Sequence, residues 1–147
     1  MAGMFTDKVV LVTGAGQGMG KSAAQRFAEE GAKVAVVDIN VDAAQSVADW
    51  IGSKGGEAIA IRADISQEAD NHRMVAETVS RFGSLHAAFL NAAMLGGVLD
   101  FFETDAATFD RIVSVNLRGS FFGMQATARA MGPGGSVVVN ASTAALS

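Results

Sequence analysis

One eight-residue segment, residues 13–20, constrains the fold of this chain more than any other feature. Its sequence is TGAGQGMG, and it directly follows a continuous apolar run at residues 9–12. Such a run, rich in β-branched residues, is typical of a strand covered on both faces of a parallel sheet. A helical pattern follows the glycines at once and is closed by Gly31, a residue that favours helix ends. The chain is therefore predicted to pass from a buried strand through a tight turn into a helix.

Apolar runs alternate with amphipathic stretches along the rest of the chain. Asn40, Ser66 and Thr104 are the expected N-caps of later helices. Parallel strands need crossover connections, and right-handed crossovers lead to a doubly wound sheet. We therefore expect one α/β domain over residues 1–147, with five parallel strands in the order 3-2-1-4-5 and a sheet that is incomplete at its C-terminal edge. The predicted strands cover residues 9–12, 34–37, 58–61, 85–90 and 136–139.

Composition excludes several classes of protein. Half of the residues are hydrophobic and 18% are charged, which is typical of a packed globular chain. The net charge of -4, without any cluster of lysine or arginine, argues against nucleic acid as a partner. There is no cysteine, and no apolar run approaches the roughly 20 residues that span a bilayer. We expect a cytoplasmic protein with no membrane or nucleic-acid partner.

The spacing of the glycines favours binding of a dinucleotide. Gly14 permits the tight exit from the strand, Gly18 removes a side chain where backbone approaches a pyrophosphate, and Gly20 lets the helix lie close to the sheet. The free N–H groups at the helix start then attract the anion. Gln17 and Met19 lie between these glycines and belong to the same predicted contact. The alternative is a turn that merely needs positive φ.

Asp38 supplies the second half of this pattern. It ends the second apolar run, about 20 residues past the glycines, where a carboxylate can accept hydrogen bonds from the adenosine ribose. Its charge would repel a 2′-phosphate, Gln17 is neutral, and no lysine or arginine lies near Asp38 in the sequence. The sequence therefore predicts a Rossmann-type fold that binds NAD rather than NADP. The alternative for Asp38 is an ordinary polar loop residue or helix cap.

These residues resemble the short-chain dehydrogenase/reductase family, whose pattern T-G-x-x-x-G-x-G is matched in full by residues 13–20. The resemblance covers essentially the whole chain. It implies an oxidoreductase that transfers a hydride between an alcohol or ketone substrate and nicotinamide, with an aspartate after the third strand contacting the adenine amino group. The matched positions taken as part of the cofactor site are Asp64, Ile65, Asn91, Ala92 and Ala93, and the resemblance extends to the segments 115–117 and 136–143.

The same resemblance implies three catalytic candidates, Asn116, Ser142 and Thr143. In the family this asparagine bends its helix and holds a water in the proton path. Helical spacing puts Asn116 on an interior stripe with Phe109, Ile112, Val113, Ser120 and Gly123. A structural amide that bridges helix and sheet is therefore an alternative. The family's catalytic serine is usually the second of an adjacent pair, which favours Thr143 over Ser142.

The chain also departs from the family. Leu90 stands where the family usually has its first asparagine, and Ala93 where it has glycine. The family's catalytic tyrosine and the lysine that lowers its pKa have no counterpart, because the chain has no tyrosine and no lysine beyond Lys54. We expect the chain to be the cofactor-binding portion of an oxidoreductase that is truncated before its catalytic segment. The alternative is a non-catalytic dinucleotide-binding module or an inactive truncation product.

Other residues receive structural interpretations. His72 and His86 have no acidic or cysteine partners at metal-ligand spacing, so no metal site is predicted. In the family the long helix often lies at a subunit interface, and we therefore expect a homo-oligomer formed through residues 104–131. Residues 94–102 alone do not define the substrate.

Overall fold

The computed structural model describes residues 3–94 and 101–142, and it confirms the predicted parallel sheet. The strand order is β3-β2-β1-β4-β5, and every neighbouring pair is parallel. The last helix before β5 is continuous but contains a π-helical segment, Ser114–Gly119, between α4 and α5. In chain order the elements are β1 Val9–Thr13, α1 Gly18–Glu29, β2 Lys33–Asp38, α2 Val41–Ser53, β3 Ala58–Arg62, α3 Glu68–Phe82, β4 Ala87–Leu90, α4 Ala106–Val113, α5 Ser120–Ala130 and β5 Ser136–Val139.

The central strands are covered on both faces. Side chains of a strand alternate between faces, so Val9 and Leu11 of β1 join the core beneath α3 and α5. Val10 and Val12 join the core beneath α1 and α2. All five residues of β1 are buried, which explains why its sequence is continuously apolar instead of alternating. The carboxyl end of β1, where the glycine segment begins, is thereby held in a rigid core.

The edge strand β5 is less well covered. Val137 packs against the core on the α3 and α5 side, whereas Val138 is 57% exposed and faces the opposite side of the sheet. Phe89, its register neighbour on β4, is only half-buried. In the described part of the chain, apolar side chains of β4 and β5 are therefore partly open to solvent on this side of the sheet.

Two of the three predicted N-caps are wrong. Asn40 caps α2 as predicted, since its Oδ1 accepts a hydrogen bond from the Ala43 N–H at 3.2 Å. Ser66 lies before α3 but donates its hydroxyl to Asp64 instead of capping the helix. The cap of α4 is Asp105, not Thr104: its carboxylate accepts the Thr108 N–H at 2.7 Å, and this bond lowers the pKa of Asp105. A charged acceptor at the helix N-terminus is favoured over a neutral hydroxyl.

The π-helical segment changes which residues face the core. A π turn holds an extra residue relative to an α turn, so the faces of α4 and α5 are out of phase. Phe109 is 60% exposed, while Gly119 and Gly123 are buried. The predicted interior stripe is therefore wrong at Phe109, whereas its other members are half-buried or buried: Ile112, Val113, Asn116, Ser120 and Gly123. Among the described residues, no helix is long and apolar enough to cross a membrane.

Candidate functional site

The glycine segment lies between β1 and α1, where the sequence placed it. Gly14 has a φ of +62°, and a Cβ on it would lie 2.8 Å from the Cα of Ala92. A Cβ on Gly20 would collide with the carbonyl oxygen of Gly14. Both positions require glycine, because the start of α1 packs directly against the turn and the segment after β4.

One side of this turn is open. Gly18 has a φ of +53°, and a Cβ built on it would have no atom within 4 Å. Gln17 and Met19 beside it are exposed. Helix α1 has no side-chain N-cap bond from Gln17 and no acidic residue in its first turn. The N–H groups at the start of α1 can therefore receive an anion from the open side.

Asp38 points toward the glycine segment. Its Oδ2 accepts a hydrogen bond from the Gly16 N–H at 2.9 Å, and its Oδ1 accepts one from the Asn40 N–H at 3.0 Å. These bonds fix the carboxylate beside the turn while each oxygen keeps lone pairs for further donors. A hydroxyl-bearing ligand whose phosphates lie on the start of α1 would meet this carboxylate.

Gly16 was not singled out from the sequence. A Cβ on Gly16 would lie 2.8 Å from the Cβ of Ala43 and 3.0 Å from the Oδ2 of Asp38. Glycine at this position therefore permits the contact between the turn and Asp38. The signal was a fourth glycine in the segment, beyond the three that the binding pattern uses.

The sheet register also pairs Asp38 with a cationic residue. In the β2–β3 register Asp38 is paired with Arg62, which is exposed. The two residues are far apart in the sequence, so a search for neighbours along the chain does not find this pair. A positive and a negative side chain thus lie at the ends of adjacent strands.

The turn between β3 and α3 contains Asp64 and Ile65. The Oδ1 of Asp64 accepts hydrogen bonds from the N–H and the hydroxyl of Ser66, at 3.0 and 2.7 Å. The Asp64 N–H donates to Asp70 Oδ2 at 2.8 Å. This bond, together with the Arg73 guanidinium, holds the pKa of Asp70 below its usual range. Ile65 is buried, so its side chain is a packing residue and only its backbone can contribute to a site.

Asn91 connects the end of β4 to the glycine segment. Its Nδ2 donates to the carbonyl oxygen of Thr13 at 3.2 Å, and its N–H donates to the Thr13 hydroxyl at 3.0 Å. The Ala92 N–H donates to the same hydroxyl at 3.1 Å. Thr13 was part of the quoted pattern but was not assigned a role, which the structure now provides. Ala93 is exposed.

Leu90 replaces an asparagine of the family pattern and belongs to the apolar core. It is 5% exposed, and a Cβ on Gly123 would lie 3.2 Å from its Cδ1. The leucine is therefore accommodated by the close approach of α5, and β4 keeps its register with β1.

Asn116 lies in the π-helical segment and contacts the chain beyond β4. Its Oδ1 accepts the Met94 N–H at 2.8 Å, and its Nδ2 donates to the Met94 carbonyl at 3.0 Å. The Ser120 hydroxyl donates to the Asn116 carbonyl at 2.7 Å. Both polar atoms of the amide thus bridge the helix to the segment after β4, within a local distortion of the helix.

Ser142 follows the end of β5 and is exposed. It lies on the same carboxyl edge of the sheet as the segment that Asn116 holds. Thr143 lies outside the described residues. The choice between these two hydroxyls therefore remains a prediction.

His72, His86 and Trp50 make contacts that are typical of structural residues. The Nδ1 of His86 accepts the Val9 N–H at 2.9 Å, while His72 lies 3.7 Å from Glu68 on the exposed side of α3. Trp50 packs against the core beneath α2. In the described part of the chain, no group of three or more histidine, cysteine or acidic residues could hold a metal ion.

Together, the parallel sheet, its strand order and the glycine turn between β1 and α1 define a Rossmann-like α/β protein. The chain belongs to the short-chain dehydrogenase family, whose sequence profile matches residues 8–147. Enzymes of this family are oxidoreductases that act on small molecules with NAD or NADP as cofactor.

Relatives and solved structures agree with this assignment. The chain is 41% identical over 146 residues to cyclohexanol dehydrogenase of Acinetobacter sp. (strain SE19), covering 99% of this chain and 58% of that one. A short-chain dehydrogenase/reductase structure from Mycobacterium marinum superposes with a TM-score of 0.93 at 36% identity, covering 97% of this chain and 59% of that one. A structure of a Burkholderia cenocepacia J2315 short-chain dehydrogenase in complex with NADP superposes with a TM-score of 0.91 at 31% identity. The match covers 97% of this chain and 58% of that one. The chain thus spans little more than half the length of the relatives it matches.

Proposed function

We propose that this chain binds NAD and is the cofactor-binding portion of an oxidoreductase that transfers a hydride between an alcohol or ketone and nicotinamide. The observation that carries the proposal is the contact between Asp38 and the Gly16 N–H. It places a carboxylate beside an open helix N-terminus, and these are the two features that recognise the ribose and the diphosphate of a dinucleotide.

Each part of the cofactor has a counterpart in the chain. The N–H groups around Gly18 and Gly20 would hold the diphosphate, with Gln17 and Met19 on the rim. Asp38 would accept hydrogen bonds from the adenosine ribose. The Asp64–Ile65 backbone and the Asp64 carboxylate would contact the adenine. Residues 91–93 would extend along the cofactor toward the nicotinamide.

A bound nicotinamide would supply the hydride-acceptor chemistry for oxidation of an alcohol to a ketone. Ser142 or Thr143 would hold the substrate oxygen by a hydrogen bond. Asn116 would act through its neighbours, since its amide fixes the backbone at Met94 and its carbonyl accepts from Ser120.

The preference for NAD follows from the charges beside the ribose position. Asp38 is half-buried and is held by two backbone donors, so its charge is fixed in place. Two like charges about 4 Å apart repel by roughly 4 kcal/mol near a protein surface. Arg62 is exposed, and its attraction for a 2′-phosphate is screened by water and salt. The repulsion from Asp38 is therefore expected to dominate.

Isothermal titration of the purified chain with ADP-ribose and with 2′-phospho-ADP-ribose tests this proposal. We expect tighter binding of ADP-ribose, and we expect Asp38→Ala to weaken it and to narrow the difference between the two ligands. Asp42→Ala is the matched control, because Asp42 is an exposed acid nearby on α2. Equal affinities in the unmodified chain would overturn the preference for NAD. Failure to bind either ligand would overturn the nucleotide assignment.

A second candidate is a dinucleotide-binding module without catalysis. It applies to these 147 residues assayed alone, because they contain no tyrosine and the family's proton transfer uses one. We expect the purified chain to show no turnover of cyclohexanol at saturating NAD, even where it binds ADP-ribose. Turnover by protein of verified mass would exclude this candidate.

We also propose that the protein is located in the cytoplasm.

We further propose that the long helix mediates homo-oligomerisation. Four large apolar side chains are exposed on it: Phe109 60%, Leu117 68%, Phe121 54% and Met124 39%. Large apolar side chains exposed on one helix favour an interface over free solvent, and a second copy would bury the same side chains on both partners.

Analytical ultracentrifugation tests this interface. We expect Leu117→Glu to shift the chain toward the monomer at concentrations where the unmodified chain self-associates. Val41→Glu is the control, since Val41 is an exposed apolar residue of α2. An unmodified chain that sediments as a monomer throughout would overturn the proposal.

A further inference from the structure

A fully buried amide lies beneath the turn that connects β3 to α3. Asn71, in α3, is 0% exposed. Its Nδ2 donates hydrogen bonds to the carbonyl oxygens of Ile65 at 2.7 Å and Gln67 at 3.0 Å. Both carbonyls belong to residues 64–67, the turn that also contains Asp64. One side chain therefore fixes the backbone of the turn from the inside.

The two hydrogen bonds donated by the Asn71 Nδ2 determine the orientation of the amide. Within the described residues, the Oδ1 of Asn71 has no hydrogen-bond partner, and a Cβ on Gly123 would lie 3.3 Å from it. A buried acceptor without a partner is unfavourable. Rotating the amide would only place the oxygen against two carbonyl oxygens. An apolar side chain would avoid the unpaired acceptor, so packing alone does not explain an asparagine here.

The long helix also packs against the same turn. A Cβ on Gly119 would lie 2.9 Å from the Ile65 carbonyl oxygen, which also accepts the bond from Asn71. Gly119 is buried at the end of the π-helical segment. The Ile65 carbonyl is therefore confined between α3 and the long helix, and a shift of either contact would move Asp64.

We propose that Asn71 is a positioning residue for recognition of the adenine amino group. By holding the carbonyls of Ile65 and Gln67, it sets the place of the Asp64 carboxylate, which Ser66 further orients. This inference rests on the proposed nucleotide function. Hypoxanthine carries a carbonyl oxygen where adenine carries its amino group, so a correctly placed carboxylate accepts from adenine and repels hypoxanthine.

The experiment compares the affinity of the chain for ADP-ribose and for its hypoxanthine counterpart, inosine diphosphate ribose. We expect the unmodified chain to bind ADP-ribose about tenfold more tightly, which is the ratio of dissociation constants that one good hydrogen bond produces. Asn71→Val removes the donor and is expected to abolish most of that preference. A general loss of stability would weaken both ligands alike and leave their ratio unchanged.

The matched control is Thr78→Val. Thr78 is equally buried on the same helix and donates its hydroxyl to Met74 at 2.7 Å, so it tests the loss of a buried polar group away from the turn. The ratio of the affinities of Thr78→Val for the two ligands is expected to match that of the unmodified chain. Gly119→Ala perturbs the Ile65 carbonyl from the other helix and is expected to reduce the preference as Asn71→Val does. Where Asn71→Val does not fold, Gly119→Ala decides.

The outcomes separate this inference from the function on which it rests. An unchanged ratio in Asn71→Val, or an unchanged ratio in a folded Gly119→Ala when the valine variant does not fold, overturns the positioning role alone. Equal binding of both ligands by the unmodified chain overturns the proposal that Asp64 recognises adenine, and the inference about Asn71 with it. The proposed diphosphate site is not affected by that result. No binding of either ligand means that the proposed function itself has failed.

Discussion

The side-chain amide of Asn140 donates a hydrogen bond to the Oδ1 of Asn91 at 3.0 Å. Asn91 donates in turn to the carbonyl of Thr13, and the Asn140 N–H donates to the carbonyl of Leu90 at 3.0 Å. Polar contacts therefore continue beyond the ends of β5, β4 and β1. They connect the exposed edge strand to the turn that is proposed to hold the diphosphate.

Replacing Asn91, the central residue of these contacts, should lower the free energy of unfolding more than replacing Asn140, the outer residue. We expect Asn91→Ala to lower the free energy of unfolding by about 1–3 kcal/mol, because the Thr13 carbonyl and the partner amide lose their bonds. Asn140→Ala should cost less than about 1 kcal/mol, since Asn140 is exposed and water can replace its contact. Urea denaturation measures both. An equal or larger loss in Asn140→Ala would contradict this order.

Gly20 should not tolerate a methyl group. A Cβ there would collide with the Gly14 carbonyl and lie 2.7 Å from the Asn91 Nδ2. We expect Gly20→Ala to destabilise the chain by about 1–3 kcal/mol, the range for overpacking, and to weaken ADP-ribose binding. Gly52→Ala is the control: a Cβ there meets nothing within 4 Å, and alanine favours the helix by about 0.5–1 kcal/mol. Comparable urea midpoints for the two variants would refute the steric assignment.

Much of the fold could be predicted because its signals are local. The continuous apolar run of β1 and the glycines after it indicated a covered parallel strand, and the alternation of elements led to the observed strand order. The cap at Thr104 was wrong because the Asp105 carboxylate accepts the helix N–H. The cap at Ser66 was wrong because its hydroxyl donates to Asp64. The π-helical segment, which puts Phe109 outside, leaves no periodic signature of its own.

The site was less predictable where its contacts join distant segments. Asp38 and the glycines were found from their spacing, and both lie together as expected. The pairing of Asp38 with Arg62 depends on the β2–β3 register, and the two bonds from Asn71 depend on how α3 enters the core. Neither is encoded in the spacing of residues along the chain.

Acid should destabilise the chain partly through Asp70. Its folded-state pKa lies below the usual aspartate value because the carboxylate accepts the Asp64 N–H and pairs with Arg73. A depressed pKa stabilises the folded state above the unfolded pKa of about 4, and this contribution is lost as pH falls below that value. We expect Asp70→Asn to lose about 1 kcal/mol at neutral pH.

The pH dependence distinguishes this effect from a general loss of stability. The difference between Asp70→Asn and the unmodified chain should shrink as the pH is lowered from about 6 to about 3, measured as urea midpoints. Asp42→Asn, at an exposed position of α2, should show no such convergence. A difference that stays constant over the whole range would show that Asp70 contributes through its shape and not its charge.

The pair formed by Asp38 and Arg62 gives the sharpest test of cofactor choice. With Asp38 present, its fixed charge repels a 2′-phosphate; once it is removed, Arg62 is the register neighbour that can attract one. We expect Asp38→Ala to bind 2′-phospho-ADP-ribose more tightly than the unmodified chain does, by about tenfold at low salt. Adding Arg62→Ala should reverse most of that gain, whereas adding Arg129→Ala, on the distant end of α5, should not. The gain should also fall as salt is raised, because Arg62 is exposed. If the gain survives the loss of Arg62, that arginine does not contribute to cofactor choice, and the repulsion from Asp38 acts alone.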